Sequence, residues 1–131
     1  NTIKELGYNH VEYAPNNIVR EAVQDAHILA YPSVFEETSC LSAIEALSSG
    51  CKVVTTNYGA LYETCGTWAD YVPLCNNIVD RYSKILNNAI DTYWDNYIWR
   101  KSQYKYYLNH WSWGTRQYQW QQLINEVTTN G

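Results

Sequence analysis

Residues 27–56 read HILAYPSVFEETSCLSAIEALSSGCKVVTT, and this stretch decides the fold of the chain. Its first five residues form an apolar run that ends at Pro32, which is typical of a buried parallel strand. Its last five, Lys52–Thr56, are rich in β-branched residues, which favour strands. A polar loop and an apolar segment from about Leu41 to Ser48 lie between them, and Gly50 suits the end of a helix. The pattern predicts a strand, a loop, a helix and a second strand.

The flanking segments continue this alternation in both directions. The further predicted elements are a strand at 11–14, a helix at 18–25 capped by Asn16 or Asn17, a helical turn at 61–65, a strand at 70–74 and helices from 78 to near the end, interrupted around 110–114. Alternating strands and helices with short connections predict an α/β fold, a Rossmann-like parallel sheet flanked by helices and joined by right-handed crossovers. Four strands are readable, whereas a doubly wound sheet has about six.

Length and composition fit one domain over residues 1–131. The chain is 46% hydrophobic, enough for a real core. A net charge of −4 argues against a general polyanion binder, so we expect no nucleic-acid partner. The aromatic and basic residues of 93–120 would also suit a single-strand platform, but helices packing on the sheet or on another domain are the better interpretation. Because the chain starts at Asn1 and has no Met, we expect a fragment truncated at its N-terminus.

The four cysteines do not predict a metal site. Cys40, Cys51, Cys65 and Cys75 form no CxxC pair, and no histidine stands near them at zinc-ligand spacing. Free, partly buried thiols in a reducing compartment are favoured over disulfides. No apolar run approaches the roughly 20 residues that a membrane helix needs.

Two carboxylates, Glu37 and Glu45, flank the junction between the central loop and its helix, with seven residues between them. Ligands of open parallel sheets bind beyond the carboxyl ends of the strands. A helix that starts near Leu41 would direct its free N–H groups at that crevice, where they attract phosphate. Carboxylates accept hydrogen bonds from sugar hydroxyls. The pattern therefore suggests a diphosphate at the helix start, a sugar near Glu37 and a ribose near Glu45.

The same residues also fit a purely structural interpretation. Ser42 followed three residues later by Glu45 matches a capping box, in which Glu45 would bond the backbone N–H of Ser42. Glu37 would then be a solvated loop residue. Two acids at this spacing are common by chance, so the spacing alone leaves both interpretations open.

The wider string resembles the signature of the retaining glycosyltransferases of the GT-B fold, the glycosyl transferases group 1 family that includes sucrose and glycogen synthases. The matching positions are Pro32, Ser33, Glu37, Glu45, Ala46, Gly50, Val53 and Val54. The chain departs from the signature where the usual Phe-Gly is Ser39-Cys40 and where the usual Pro is Lys52. The resemblance covers about residues 11–118.

This resemblance implies a role for each part of the site. Glu37 would be the catalytic carboxylate that contacts the donor sugar, and Glu45 would bind the ribose. Further donor contacts are implied for Thr38, Ser39, Cys40 and Leu41, and for a glycine-containing turn at Gly59 and Ala60. The donor is a nucleotide diphosphate sugar, and no metal or other cofactor is expected, because the helix dipole and basic side chains neutralise the leaving diphosphate.

The resemblance also implies missing parts. The family carries an Arg and a Lys on a preceding strand-helix unit, and nothing before Ile3 matches it. An N-terminal acceptor-binding domain is expected to be absent as well. The chain would then be the donor-binding part of a cytoplasmic or membrane-peripheral transferase, inactive when isolated and prone to self-association through aromatic surface. The donor base, the sugar and the acceptor are not readable.

Two alternatives stay open at this stage. One is another enzyme of the same fold, such as a nucleotide-sugar epimerase or an inverting transferase, although the Glu37–Glu45 spacing argues against it. The other is a non-catalytic module that binds a nucleotide or a partner protein.

Overall fold

The computed structural model describes residues 5–129, and a three-stranded parallel sheet lies at its centre. The strands are β1 (Ile28–Tyr31), β2 (Lys52–Thr56) and β3 (Ala69–Val72), in the order β1-β2-β3. In this register Leu29 lies opposite Val53, which lies opposite Ala69. The predicted α/β class and the parallel sheet flanked by helices are confirmed.

Six α-helices surround this sheet in the described part of the chain. They are α1 (Asn16–Asp25), α2 (Leu41–Ser48), α3 (Leu61–Cys65), α4 (Ile78–Asp91), α5 (Tyr97–His110) and α6 (Trp113–Thr129). Short 3₁₀ turns at 66–68 and 94–96 precede β3 and α5. Helices α2 and α3 form the crossovers between consecutive strands.

The two faces of the sheet are covered by different helices because side chains alternate along each strand. On one face Val53, Leu29 and Ala69 pack against α2, α3 and the buried Tyr107 of α5. On the other face Val54 packs with α4 residues, and the Tyr82 hydroxyl donates to the Val54 carbonyl at 2.6 Å. The result is a helix–sheet–helix sandwich with two small apolar clusters.

Helix α5 is fixed to α2 by a buried side chain, Gln103. Its Nε2 donates to the carbonyls of Leu47 at 3.1 Å and Cys51 at 2.8 Å. These carbonyls lie where α2 ends, and carbonyls at a helix end need such partners. The buried Arg100 fixes the entry to α5, because its guanidinium lies 3.7 Å from the Tyr93 ring centre and donates to the Tyr93 carbonyl.

Four sequence predictions need correction. Residues 11–14 form no strand, so the described sheet has three strands and not four. The last strand is Ala69–Val72, one residue earlier than predicted and shorter, because Pro73 has no N–H to extend the ladder. Helix α1 has Pro15 at its N-cap with no side-chain cap, so neither Asn16 nor Asn17 caps it. A second interruption separates α4 from α5 around residues 92–96.

The prediction that the thiols are free is confirmed. All four thiols are free, with Cys40, Cys51 and Cys65 buried and Cys75 half-buried. Over residues 5–129, no helix is both long enough and apolar enough to cross a membrane.

Candidate functional site at the carboxyl edge of the sheet

Polar loops follow β1 and β2 at the carboxyl edge of the sheet, and threonines of β2 join them. The Thr55 hydroxyl donates to the Tyr31 carbonyl at 2.8 Å, and the Thr56 hydroxyl donates to the Ser33 carbonyl at 2.6 Å. Both threonines are buried, so their hydroxyls need these acceptors. The start of the loop after β1 is therefore held against β2.

Glu37 is oriented by the last residue of β1. The Tyr31 hydroxyl donates to Glu37 Oε1 at 2.5 Å. This hydrogen bond, together with burial, raises the pKa of Tyr31 to about 12, so the phenol keeps its proton at neutral pH. One oxygen of Glu37 is thus occupied by a fixed donor, and no donor to its other oxygen occurs within 5–129.

Gly59 and Ala60 contact the backbone of Glu37 directly. The Ala60 N–H donates to the Glu37 carbonyl at 2.8 Å. Gly59 has a φ of +58°, and a Cβ there would lie 2.6 Å from the Glu37 nitrogen and 2.7 Å from its carbonyl oxygen. Only glycine fits this approach. The loops after β1 and β2 therefore meet at Glu37.

Helix α2 begins at the same edge, with Cys40 as its N-cap. The first bond of the helix runs from the Ile44 N–H to the Cys40 carbonyl. The N–H groups of Leu41, Ser42 and Ala43 have no protein acceptor within the described range, and no side chain caps them. These groups carry the positive end of the helix dipole.

The capping-box interpretation is wrong. A capping box would need Ser42 as the N-cap. The N-cap is Cys40, two residues earlier, and Ser42 lies inside the helix. The Glu45 carboxylate is half-buried, and in the described structure it makes no side-chain hydrogen bond or ion pair. It remains available to a ligand.

The structure divides the predicted site residues into two groups. Glu37, Gly59 and Ala60 meet at the loop junction. Ser39, Leu41 and Glu45 instead line a groove of about 1160 Å³ between α1, α2, α5 and α6. Thr38 lies on the exposed loop between these groups, and the buried Cys40 points into the core.

The groove contains two basic residues that the sequence interpretation did not assign to the donor site, Arg20 of α1 and Arg116 of α6. Arg116 lies over the Trp111 ring at 4.5 Å and donates to the Gln119 side chain at 2.9 Å. Nothing in the sequence links these residues to Glu45, because they stand 25 positions before it and 71 after it. Only helix packing brings them to one cavity.

The buried thiols of Cys51 and Cys65 are poor candidates for chemistry. Burial raises the pKa of Cys65 to about 12 and also raises that of Cys51, whose thiol donates to the Ala26 carbonyl at 3.0 Å. Protonated thiols are weak nucleophiles and poor metal ligands. No group of three metal-binding side chains occurs within residues 5–129.

These features define a helix–sheet–helix domain with a polar carboxyl edge and an adjoining groove. At a significant level, no protein-family model, curated protein or solved structure matches the chain.

Proposed function

We propose that this domain binds the nucleotide-sugar donor of a retaining glycosyltransferase, as the Rossmann-like donor half of a GT-B enzyme. The observation that carries the proposal is the carboxyl edge itself. The first N–H groups of α2, which have no protein acceptor within residues 5–129, lie there with the oriented carboxylate of Glu37, and Glu45 follows one turn into the helix. This is the type of edge at which parallel sheets bind phosphorylated ligands. The proposal rests on this geometry and on the sequence resemblance between Pro32 and Val54.

In the proposed reaction the sugar moves from a nucleotide diphosphate to an acceptor hydroxyl with retention of configuration. Glu37 contacts the donor sugar and supports the reacting carbon. The start of α2 receives the diphosphate, whose negative charge grows as it leaves. Glu45 accepts hydrogen bonds from the ribose hydroxyls. No metal is needed for these roles.

The departure from the family string at Ser39-Cys40 is compatible with these roles. A side chain in place of the usual glycine could obstruct the approach of a sugar to the backbone. Cys40 avoids this, because its side chain is only 3% exposed and packs in the core cluster beneath α2. The backbone N–H groups after it stay accessible from the loop side.

The proposed site belongs to a larger unit, and the exposed area of the chain supports this. The chain exposes 9717 Å², whereas a compact monomer of 15.3 kDa exposes about 7100 Å². The excess of about 2600 Å² exceeds one side of a standard protein interface. Large aromatic side chains contribute to it, among them Trp94, Trp113 and Trp120, which are 71%, 87% and 63% exposed.

We therefore expect the isolated chain to self-associate as its concentration rises, since exposed apolar patches associate. Sedimentation velocity over a concentration series measures this. A single monomeric species at every concentration, with no binding of a hydrophobic dye, would contradict an unsatisfied interface on this domain.

Nucleotide titration of the isolated domain tests the donor assignment. UDP, GDP and ADP are added while backbone amide shifts are followed by NMR. We expect weak binding, with shifts at Cys40–Glu45. Glu45→Gln should weaken the binding, and Glu126→Gln on the exposed side of α6 is the matched control. No shifts at millimolar nucleotide would show that the donor assignment is wrong.

The complete enzyme separates the two acids. Glu45→Ala should raise the donor KM and Glu37→Ala should lower kcat, each by about ten- to a hundredfold, the effect of losing a hydrogen bond to a charged group. A Glu37→Ala enzyme that keeps full turnover would show that the role proposed for Glu37 is wrong. A complete protein that binds nucleotide and transfers no sugar would favour the non-catalytic binding module.

A further inference from the structure

The groove between α1, α2, α5 and α6 is more than an extension of the loop junction, because two guanidinium groups and two tryptophans line it. Arg20, Arg116, Trp113 and Trp120 share its walls with Ser39 and Glu45. Its volume of about 1160 Å³ is slightly above the roughly 300–1000 Å³ typical of small-molecule sites. It is therefore large enough for a nucleotide.

The directions of two helices place the basic and acidic side chains at one level. Helix α1 ends just before β1 and α2 ends just before β2, and the Cys51 thiol donates to the Val23 and Ala26 carbonyls where both helices end. Both helices therefore run away from the carboxyl edge. Arg20 is one turn into α1 and Glu45 is one turn into α2. Both N-termini are directed towards the same end of the groove.

The charges in the groove are not neutralised by one another. Lys52–Asp70 is the only ion pair found among residues 5–129, so neither arginine is paired with Glu45. Two positive side chains and one negative side chain give the walls a net positive charge, although the whole chain carries −4. An arginine is always charged and binds phosphate through paired N–H groups. The groove is thus complementary to an anion.

The tryptophans supply a second kind of complementarity. Trp113 and Trp120 are seven residues apart on α6, so they lie on one side of the helix with Arg116 between them. Aromatic side chains stack on nucleobases, and this stacking stabilises the bound nucleotide. A phosphate-binding arginine between two stacking surfaces suits a nucleotide better than a free sugar or an inorganic ion.

We propose that this groove binds the nucleoside diphosphate, with Arg20 and Arg116 on the phosphates, a base stacked on Trp113 or Trp120, and Glu45 on the ribose. The proposal rests on the donor-binding function proposed above. Arg20 and Arg116 would supply the positive charge that the resemblance assigns to an Arg and a Lys on a preceding strand-helix unit. The proposal also assigns α6 to the binding site.

The test is an affinity series on the whole chain with ADP, UDP and GDP, and with inorganic pyrophosphate as the probe for the phosphate contacts alone. Arg20→Gln and Arg116→Gln should each weaken nucleoside diphosphate and pyrophosphate binding about tenfold or more. Arg81→Gln, on exposed α4 across the sheet, is the control and should change neither affinity. Because Arg116 packs on Trp111, Arg116→Lys provides a variant that keeps the charge if Arg116→Gln fails to fold.

The tryptophans are tested separately. One of the two variants Trp113→Leu and Trp120→Leu should weaken nucleotide binding and leave pyrophosphate binding unchanged, and Trp→Phe at that position should restore most of the nucleotide affinity. Full nucleotide affinity in both leucine variants would overturn the stacking part of the proposal. Stacking should also quench tryptophan fluorescence as nucleotide is added.

The outcomes separate the two proposals. If nucleotide shifts the amides of Cys40–Glu45 and both arginine variants bind it with full affinity, the groove proposal is overturned and the donor-site proposal is kept. No nucleotide binding at all would overturn both. Weaker binding in the arginine variants with an unchanged Arg81→Gln control would support both.

Discussion

The two edges of the sheet differ in how they are closed. At the amino edge, the buried Gln103 of α5 bonds the end of α2, and the Cys51 thiol bonds the carbonyl groups at the end of α1. At the carboxyl edge, the loops are held by backbone contacts and by two threonine hydroxyls, while Phe35 and Leu41 remain 70% exposed. One edge is sealed by buried side chains, and the other leaves large apolar side chains exposed.

This difference indicates where function can lie. A sealed edge contributes to stability, because removing the partner of a buried polar group lowers the free energy of unfolding. An edge fixed through its backbone presents oriented N–H groups and carboxylates to a ligand. Helix α2 connects the two, with its N-terminus at the open edge and its C-terminus at the sealed edge.

The largest expected effect breaks the sealed edge. Gln103→Ala should lower the free energy of unfolding by about 3–5 kcal/mol, because it opens a cavity and removes the side-chain donor from the Cys51 carbonyl. The Leu47 carbonyl loses the same donor and keeps the Gly50 N–H. Chemical denaturation measures the change. Gln122→Ala, exposed on α6, is the control and should stay within about 0.5 kcal/mol of the wild type. Equal stability of the two variants would contradict the sealed edge.

The next largest effect is expected from disrupting the open edge where Gly59 contacts the backbone of Glu37. Gly59→Ala should cost about 2–4 kcal/mol, because the added Cβ would clash with the Glu37 backbone and because φ is +58°. Gly50→Ala is a matched control, since its φ is +83° but, among residues 5–129, an added Cβ would have no atom within 4 Å apart from its chain neighbours. It should cost only about 1–2 kcal/mol of backbone strain. If the two variants unfold at the same denaturant concentration, the contact between the loops is not formed.

A smaller effect reports on the orientation of Glu37. Tyr31→Phe removes the hydrogen bond to Glu37 and should cost about 1 kcal/mol at neutral pH, because the pair is partly exposed to water. The folded pKa of Tyr31, about 12, lies above its ordinary value of 10.0. The contribution of this hydrogen bond to the free energy of unfolding is therefore fully present below pH 10, and it is lost as the pH rises towards 12.

The measurement is the difference in unfolding free energy between wild type and Tyr31→Phe across this alkaline range. Comparing the two proteins cancels the contributions of other buried tyrosines, such as Tyr82, whose pKa burial raises to about 12. The difference should shrink as the pH rises. A difference that stays constant would show that the Tyr31 phenol does not donate to Glu37.

The smallest effect leaves stability unchanged and compares thiol access. A thiol-reactive disulfide should modify the half-buried Cys75 quickly in the native protein, and it should reach buried Cys40, Cys51 and Cys65 only after unfolding. Thiol counting before and after denaturation measures this. Cys75→Ser should remove the fast phase. Rapid reaction of a second thiol in that variant would show that the core near α2 opens readily.

The sequence by itself determined the central strand–helix–strand unit. The apolar run before Pro32, the β-branched run of Lys52–Thr56 and Gly50 after α2 each favour one local structure, and each formed where it was predicted. Local propensity and hydrophobic pattern agree in these segments, and this agreement makes a sequence readable. The helical turn of α3 and the free cysteines were also predicted correctly.

Residues 11–14 show where local patterns failed. Their apolar and aromatic residues favour a strand, but a strand forms only where a neighbour can pair with it, and no described strand does so. The capping box failed for a related reason. The start of α2 is set by the loop geometry around Cys40, which packs into the core, and not by the side chain of Ser42.

Tertiary structure alone decided the contacts between distant segments. The sequence marked Glu37 and Glu45 as a pair, but folding gave one a tyrosine partner and directed the other into a groove with Arg20 and Arg116. Likewise, Gln103 reads as an ordinary polar helix residue and is fully buried at the sealed edge. Such roles depend on which helix faces pack together. Packing depends on the shapes of whole surfaces, and these are spread over segments far apart in the chain.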